Sequence, residues 1–369
     1  RRQRQMCIRD SMELHSAQFK IYPEDFIVTE LLPIANDLSG QGEHLWLYLQ
    51  KTGVNTAYLA KLLAQWAKIP IGDVGYSGLK DRNAVTYQWF SLRLPKATLD
   101  TNTLSPFLAK HLNDNESVEL IKHHRHHKKL QIGSHFGNHF TITLRQVSAD
   151  TSLINSRLAT LAKIGFPNYF GKQRFGHDNN NLTEAYELFT SKKRLKAIKY
   201  GKRPANFDLL LSAVRSHLFN AILAQRISLD NWHQAIDGDV FMLDGSQSVF
   251  TSSITQEITK RLLDGDIHPT APLVGIGGKQ ATATAYVLEQ AILTHDNYSP
   301  LVYALTYLGI KQHRRALRVM PQHLSYKWSS NERASDTLTL QFELPKGAFA
   351  TALLDAIIDE LIDASIAKN

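Results

Sequence analysis

Cysteine is almost absent from this chain of 369 residues. With Cys7 alone, one molecule can form no disulfide framework, no thiolate metal cluster and no cysteine relay. Long hydrophobic runs are missing too: the apolar stretches fall well short of the roughly 18 residues that span a bilayer. No secretory signal is visible, so the cytoplasm is the expected location. Neither an internal repeat nor a low-complexity tract interrupts the pattern. Acidic residues are the scarcer charge, 34 against 42 Lys and Arg, which leaves a net charge of +8 before any of the 16 histidines is protonated. That surplus suits a polyanionic partner, with nucleic acid the first expectation. Hydrophobic residues at 43% and charged residues at 21% exclude a disordered chain, and the length suffices for two domains.

What is present centres on residues 75–92, GYSGLKDRNAVTYQWFSL. Gly75 and Gly78 admit backbone geometry that bulkier residues resist. Lys80, Asp81 and Arg82 then set a carboxylate between two cations, which favours its ionised form. Trp89, Phe90, Ser91 and Leu92 follow as a buried strand, a firm mount for a loop-borne reactive group. A carboxylate held still can act as nucleophile or general base. The bland alternative is a surface turn with solvated charges.

The flanking segments read as an α+β rhythm. Residues 19–31 turn at Pro23 and enter a strand with Phe26 and Val28 on one face. Residues 42–49 alternate Leu45, Leu47 and Leu49 against Trp46 and Tyr48, a strand covered on both faces. A helix capped at Asn55 or Thr56 carries Leu59, Leu62, Leu63 and Trp66 on one stripe. His123, His124, His126 and His127 invite a metal reading, but cations interleave them, no carboxylate is near, and adjacent residues share no face. Arg125, Lys128 and Lys129 there fit a phosphate-facing stripe or a polar edge strand. Residues 165–176 mix Lys172 and Arg174 with Tyr169, Phe170 and Phe175, a composition seen where single-stranded RNA is bound and also in glycine-rich domain entries. Residues 192–203 carry seven cations in twelve positions. Residues 209–227 have helical apolar spacing, residues 338–344 alternate as a strand, and residues 350–367 predict one amphipathic C-terminal helix.

Five strings in order give these readings a common source. G-x-K-D-x-x-A-x-T-x-Q (Gly78 to Gln88) resembles the active-site motif of the TruD family of tRNA pseudouridine synthases, whose nucleophilic aspartate matches Asp81. K-x-x-P-E-D-F-x-V-x-E resembles the family's first motif; its lysine near the catalytic centre matches Lys20 and its base-contacting phenylalanine Phe26. K-L-x-x-G-x-x-x-G-N-x-F places a substrate-binding asparagine at Asn138, whose amide suits a uracil edge. N-Y-F-G-x-Q-R-F-G resembles the start of the family's insert domain. F-x-L-P-x-G-x-F-A-T ends on a base-contacting phenylalanine matched by Phe349, which is also a common helix-entry staple residue.

The resemblance implies an α+β fold: a catalytic domain with a mixed, mostly antiparallel sheet from residues 12–164 and 320–369, and an α+β TRUD insert at 165–319. Residues 1–11, with four arginines and no apolar periodicity, read as a non-native leader or as a basic arm on RNA phosphates. The resemblance also implies isomerisation of uridine 13 of tRNA without cofactor or metal; apart from it, a monomer with no membrane or protein partner is the expectation. Lys20 is the expected ion-pair partner that keeps Asp81 charged, with the neighbouring Lys80 and Arg82 as rivals for that role. Lys80, Arg82, Arg125, Lys128, Lys129, Lys172 and Arg174 are the expected RNA-facing cations. A synthase acting on another RNA, or an RNA-binding chaperone without catalysis, are the alternatives.

Overall fold

The computed structural model describes residues 15–32, 40–95, 99–331 and 334–365. The expected leader lies outside them. The chain runs through β1 (Ser16–Phe19), β2 (Phe26–Leu31), β3 (His44–Thr52), α1 (Thr56–Ala67), β4 (Val74–Tyr76), β5 (Val85–Arg93), α2 (Leu104–Leu108), β6 (Ser117–His126) and β7 (Gly137–Ser148). It continues with α3 (Thr151–Ile164), β8 (Phe166–Pro167), α4 (Asn180–Thr190), α5 (Lys192–Lys199), α6 (Phe207–Ser228), β9 (Val240–Leu243), β10 (Val249–Thr251), α7 (Gln256–Leu263) and β11 (Ile267–Leu273). The last elements are α8 (Ala283–Leu293), α9 (Ser299–Tyr307), β12 (His313–Ala316), β13 (Arg318–Val319), β14 (Gln322–Asn331), β15 (Ala334–Pro345), α10 (Ala350–Ile357) and β16 (Glu360–Asp363).

These elements form two compact units. The sheet unit takes the described residues up to Asp150, Pro321–Gly347 and those from Ile358 onward; the helical unit takes Thr151–Met320 and Ala348–Ile357. Sequence reasoning cut the chain later, after residue 164, and kept 348–357 with the sheet. In the structure α10 packs on α3 and β8, so both boundary segments belong with the helical unit.

The sheet follows the order β14-β15-β7-β2-β5-β3-β6, with β1, β4 and β16 attached to it. Only β2 with β5 and β1 with β16 are parallel among its pairings, so it is mixed and mostly antiparallel, as the motifs implied. Alternation decides its faces. Leu45, Leu47 and Leu49 of β3 and Phe90 and Leu92 of β5 meet Leu59, Leu62 and Leu63 of α1. Each wholly buried Leu or Phe of this kind contributes about 1.5–3 kcal/mol. Asn55 caps α1, its Oδ1 accepting from the N–H groups of Ala57 at 2.8 Å and Tyr58 at 3.3 Å. Thr56, the other cap candidate, is buried and bonded elsewhere.

The C-terminal expectation is corrected. The helix stops at Ile357, and Glu360–Asp363 pairs parallel with β1, Ser16 opposite Glu360 and Phe19 opposite Asp363. Helical periodicity was present, but the edge of β1 offers backbone partners to the next segment. The N–H groups of Asp359 and Glu360 both reach the His15 carbonyl, each at 3.0 Å.

In the helical unit, α6 is long and apolar enough to cross a membrane by length and composition. Here it is a core helix, burying Leu210, Val214, Leu218, Phe219, Ile222 and Leu223 among α4, α8 and α9. A four-stranded sheet, β10-β9-β11-β12, completes the helical unit.

Gly137 opens β7 where it pairs with Pro345 of β15. A Cβ there would sit 2.4 Å from the Leu344 carbonyl oxygen, so only glycine fits. Gly137→Ala is expected to cost about 1–3 kcal/mol through overpacking, read as a lowered thermal midpoint. It would also shift the neighbouring Asn138.

Candidate active site

The loop between β4 and β5 is laced from both sides before its reactive group is considered. Gln88 Nε2 donates to the Gly78 carbonyl at 2.5 Å, and Thr56 Oγ1 donates to Gln88 Oε1 at 3.3 Å. The Lys80 N–H donates to Thr56 Oγ1 at 3.1 Å. The Gly53 N–H reaches the Arg82 carbonyl at 3.1 Å, and Arg82 Nε returns to the Gly53 carbonyl at 2.7 Å. Gly75 and Gly78 serve close approach here, with neither at positive φ. A Cβ at Gly75 would lie 2.2 Å from the Leu130 carbonyl, and one at Gly78 would lie 3.2 Å from the His135 ring.

Asp81 projects from this loop. Its Oδ1 accepts from the Asn83 N–H at 2.9 Å, and its Oδ2 meets Lys20 Nζ at 2.5 Å. Of the three cations adjacent in sequence or motif, Lys20 is therefore the one on the carboxylate. Lys20 is 7% exposed and sits at φ +58, a left-handed conformation that a residue with a Cβ adopts only when its surroundings hold it there. Its ammonium lies 4.6 Å from the centre of the Phe26 ring and 5.3 Å from that of Phe19. Asp363 of β16 stands 4.0 Å away on the same ammonium.

Lys80 is a correction. Its ammonium is buried on Glu30 Oε1 at 2.9 Å, with side-chain exposures of 4% and 0%, so it is not offered to an RNA backbone. Burial pushes the Glu30 carboxyl up; the Lys80 charge, the Trp89 N–H and the Ser77 hydroxyl pull it back. Asn138 lies opposite Glu30 in the β7–β2 ladder. Its Oδ1 is buried and has no hydrogen-bond partner among the described residues. Phe26 is 6% exposed, edge-on to Phe19 and Phe140.

The remaining expected cations differ in availability. Arg82 is exposed at its head and pairs with Glu116 at 3.3 Å. Arg125 donates to the Leu94 carbonyl at 2.9 Å. Lys129 donates to the Gly72 carbonyl, while the side chains of Lys128 and Lys172 are exposed. His123, His124 and His126 lie on β6, which ends one side of the sheet order, with β14 at the other end. His126 stacks at 4.4 Å on Trp46, and His123 meets Thr101 at 3.3 Å. Phe349, Lys172 and Arg174 belong to the helical unit. There Phe349 packs edge-on to Phe170 at 6.3 Å, and the Arg174 guanidinium lies 5.4 Å from that same ring.

One residue carried no motif signal. Lys51, at 0% exposure on β3, donates from Nζ to the Val54 carbonyl at 2.9 Å and to the Asp81 carbonyl at 3.1 Å.

A family model described as tRNA pseudouridine synthase D (TruD) matches residues 10–200 and 192–357. The chain belongs to the TruD family. It is 42% identical over 383 aligned positions to the tRNA pseudouridine synthase D of Psychrobacter arcticus, covering 96% of this chain and 94% of that protein. It is 43% identical over 356 positions to the enzyme of the same name from Xanthomonas campestris, covering 95% and 93%. In fold it resembles the crystal structure of a putative TruD from Methanosarcina mazei, with a TM-score of 0.70 at 20% identity over 97% of both chains. The α+β architecture is thus the family's, and the ion-paired aspartate stands in the loop that carries the G-x-K-D string from Gly78 to Asp81.

Proposed function

We propose that this chain isomerises uridine 13 of tRNA to pseudouridine with Asp81 as the nucleophile. The observation that carries the reading is the 2.5 Å Asp81–Lys20 pair, mounted on a loop whose backbone is tied on both sides. An anionic carboxylate held at one oxygen by an ammonium and at the other by a backbone N–H is oriented before substrate arrives. In the reaction the N1–C1′ glycosidic bond breaks, the detached uracil turns, and C5 bonds to C1′. N1 gains a proton and C5 loses one. That balance needs no redox partner and no metal. The same balance is reached whether the carboxylate attacks the ribose or the base ring.

The detached base must be retained, which calls for stacking and edge contacts. Asn138 has the acceptor for this, since a buried amide oxygen without a partner gains most from the N3–H of uracil. The resemblance assigns base contact to Phe349 and Phe26; in the structure Phe26 seats the Lys20 ammonium. The target base has to leave its stack to reach a carboxylate set on a protein loop. The cytoplasmic, monomeric and cofactor-free setting belongs to the same proposal.

The test is single-nucleotide mapping of pseudouridine in unmodified tRNA bearing uridine at position 13, with Asp81→Ala alongside. Modification there, lost in the variant while RNA binding remains, is expected. Binding without modification by either protein would turn the reading toward an RNA chaperone. Modification only of unrelated structured RNA would replace the substrate.

A further inference from the structure

Lysine is almost never fully buried unless paired, and Lys51 is wholly enclosed with two neutral carbonyls as its acceptors. Among the described residues no carboxylate lies in ion-pair contact with it. An ammonium in such a place carries a large desolvation penalty, which a methionine of similar length would avoid. The acceptors explain the placement. One is Val54, in the turn that leads into α1, and the other is the carbonyl of Asp81 itself. Main-chain groups of the catalytic loop are tethered at Ser77, Gly78, Lys80, Asp81 and Arg82. The tether on Asp81's own carbonyl is the only one of these made by a charged side chain buried in the core.

We propose that Lys51 is a positioning residue for the reaction at Asp81: its buried ammonium fixes the Asp81 carbonyl from the core side, so that the carboxylate leaves the loop toward Lys20, and it holds a positive charge behind that carboxylate. This rests on the reading of Asp81 given above. The sequence motif covers the loop but not the strand that anchors it, which is why Lys51 stands outside every motif-derived expectation.

The pH dependence follows from the surroundings. Burial drives the Lys51 amine down to about 8; the Asp81 charge opposes this and the Lys80 charge adds to it. The other charged groups nearby are already matched: Lys20 on Asp81, Glu30 on Lys80, and Arg82 with Glu116 beside Gly53. Thr86 faces Lys51 across the β3–β5 ladder and carries no charge. Below about pH 8 the amine is charged, and the charge is lost as pH rises through that value. A neutral amine keeps two N–H donors for its two carbonyls. Deprotonation therefore removes the charge and spares the tether, whereas Lys51→Met removes both.

The experiment measures single-turnover pseudouridine formation at saturating tRNA from about pH 6 to about pH 9.5 for the wild type and Lys51→Met, with tRNA affinity and thermal midpoint recorded at each pH. In the wild type the rate is expected to fall above about pH 8 while affinity holds and the midpoint gains from Lys51, whose depressed folded pKa adds stability as pH rises. Lys51→Met is expected to lose about 10²-fold in rate, as for a reacting group displaced by an ångström, with tRNA affinity within about 3-fold and no alkaline limb. A variant with wild-type rate at every pH overturns the proposal. So does a variant whose rate falls only in step with its melting while the limb persists. If Lys51→Met does not fold, the wild-type profile decides, and a flat rate across pH 8 overturns it. A wild type that makes no pseudouridine overturns the reading of Asp81 instead, and Lys51 with it.

Discussion

Asp81→Asn is expected to fold, to bind tRNA within about 3-fold of wild type, and to lose pseudouridine formation by on the order of 10⁴-fold or more, the scale seen when a nucleophile is removed from a preorganised site. The substitution is nearly isosteric. The Asn side-chain oxygen can still accept from the Asn83 N–H, so the loop turn survives. What changes is the face toward Lys20. Two donors, an amide NH₂ and an ammonium, would confront each other across a gap that is now 2.5 Å. Lys20 is then expected to swing to Asp363, already 4.0 Å away. That relay limits the stability loss, since the buried cation keeps a carboxylate.

Lys20→Met removes the partner rather than the proposed nucleophile and is expected to lose less, roughly 10²–10³-fold, with the double variant no worse than Asp81→Asn alone, because residues acting as a unit are non-additive. Single-turnover rates of the three proteins, with melts to confirm folding, complete the cycle. More than about 1% of wild-type rate in Asp81→Asn would remove Asp81 from the chemistry and leave it a structural anchor.

How much of this site was legible varies with the range of the interaction. Elements set by local periodicity were readable: the leucine alternation of β3, the Asn55 cap and the α1 stripe are all where the pattern puts them. The candidate reactive residues came from a resemblance and not from a local pattern. The distribution of cations was not readable. Lys80, Asp81 and Arg82 are adjacent, yet Lys80 belongs to Glu30, 50 positions earlier, and Asp81 to Lys20, 61 positions earlier. No spacing rule within a loop encodes such pairs. Part of the net positive charge is internal for the same reason, with Lys20, Lys51, Arg226, Arg314 and Arg318 all buried. Lys51 did leave a signal that went unread. Period-two alternation puts it on the same strand face as Leu45, Leu47 and Leu49, and a lysine on an apolar face calls for a partner. At the C-terminus a helical pattern gave way because β1 offered an edge, a tertiary fact that outweighs local preference.

The largest expected effect on stability is at Lys80, and its pH dependence separates it from a simple loss of packing. Lys80→Met leaves the Glu30 carboxylate at 0% side-chain exposure without its cation. Removing one partner of a buried pair typically costs about 3–5 kcal/mol, because the other charge remains uncompensated. The Trp89 N–H at 3.2 Å and the Ser77 hydroxyl then stabilise the anion alone. Burial already raises the Glu30 pKa above its ordinary value, and losing Lys80, the main opposing influence, raises it further. A carboxyl whose folded pKa is raised binds its proton more tightly in the native state, so stability falls as pH climbs from the ordinary carboxylate range through the folded value. Lys80→Met should therefore be most destabilised near neutrality and should recover on acidification, as Glu30 becomes a neutral acid. Urea midpoints at about pH 7 and about pH 5.5 read this directly. Adding Glu30→Gln is expected to restore most of the loss at neutral pH, since a neutral amide can still accept the Trp89 N–H. A Lys80→Met protein as stable as wild type, or a deficit that does not shrink in acid, would mean that water rather than Lys80 compensates Glu30. The active-site loop would then owe its shape to its backbone tethers alone.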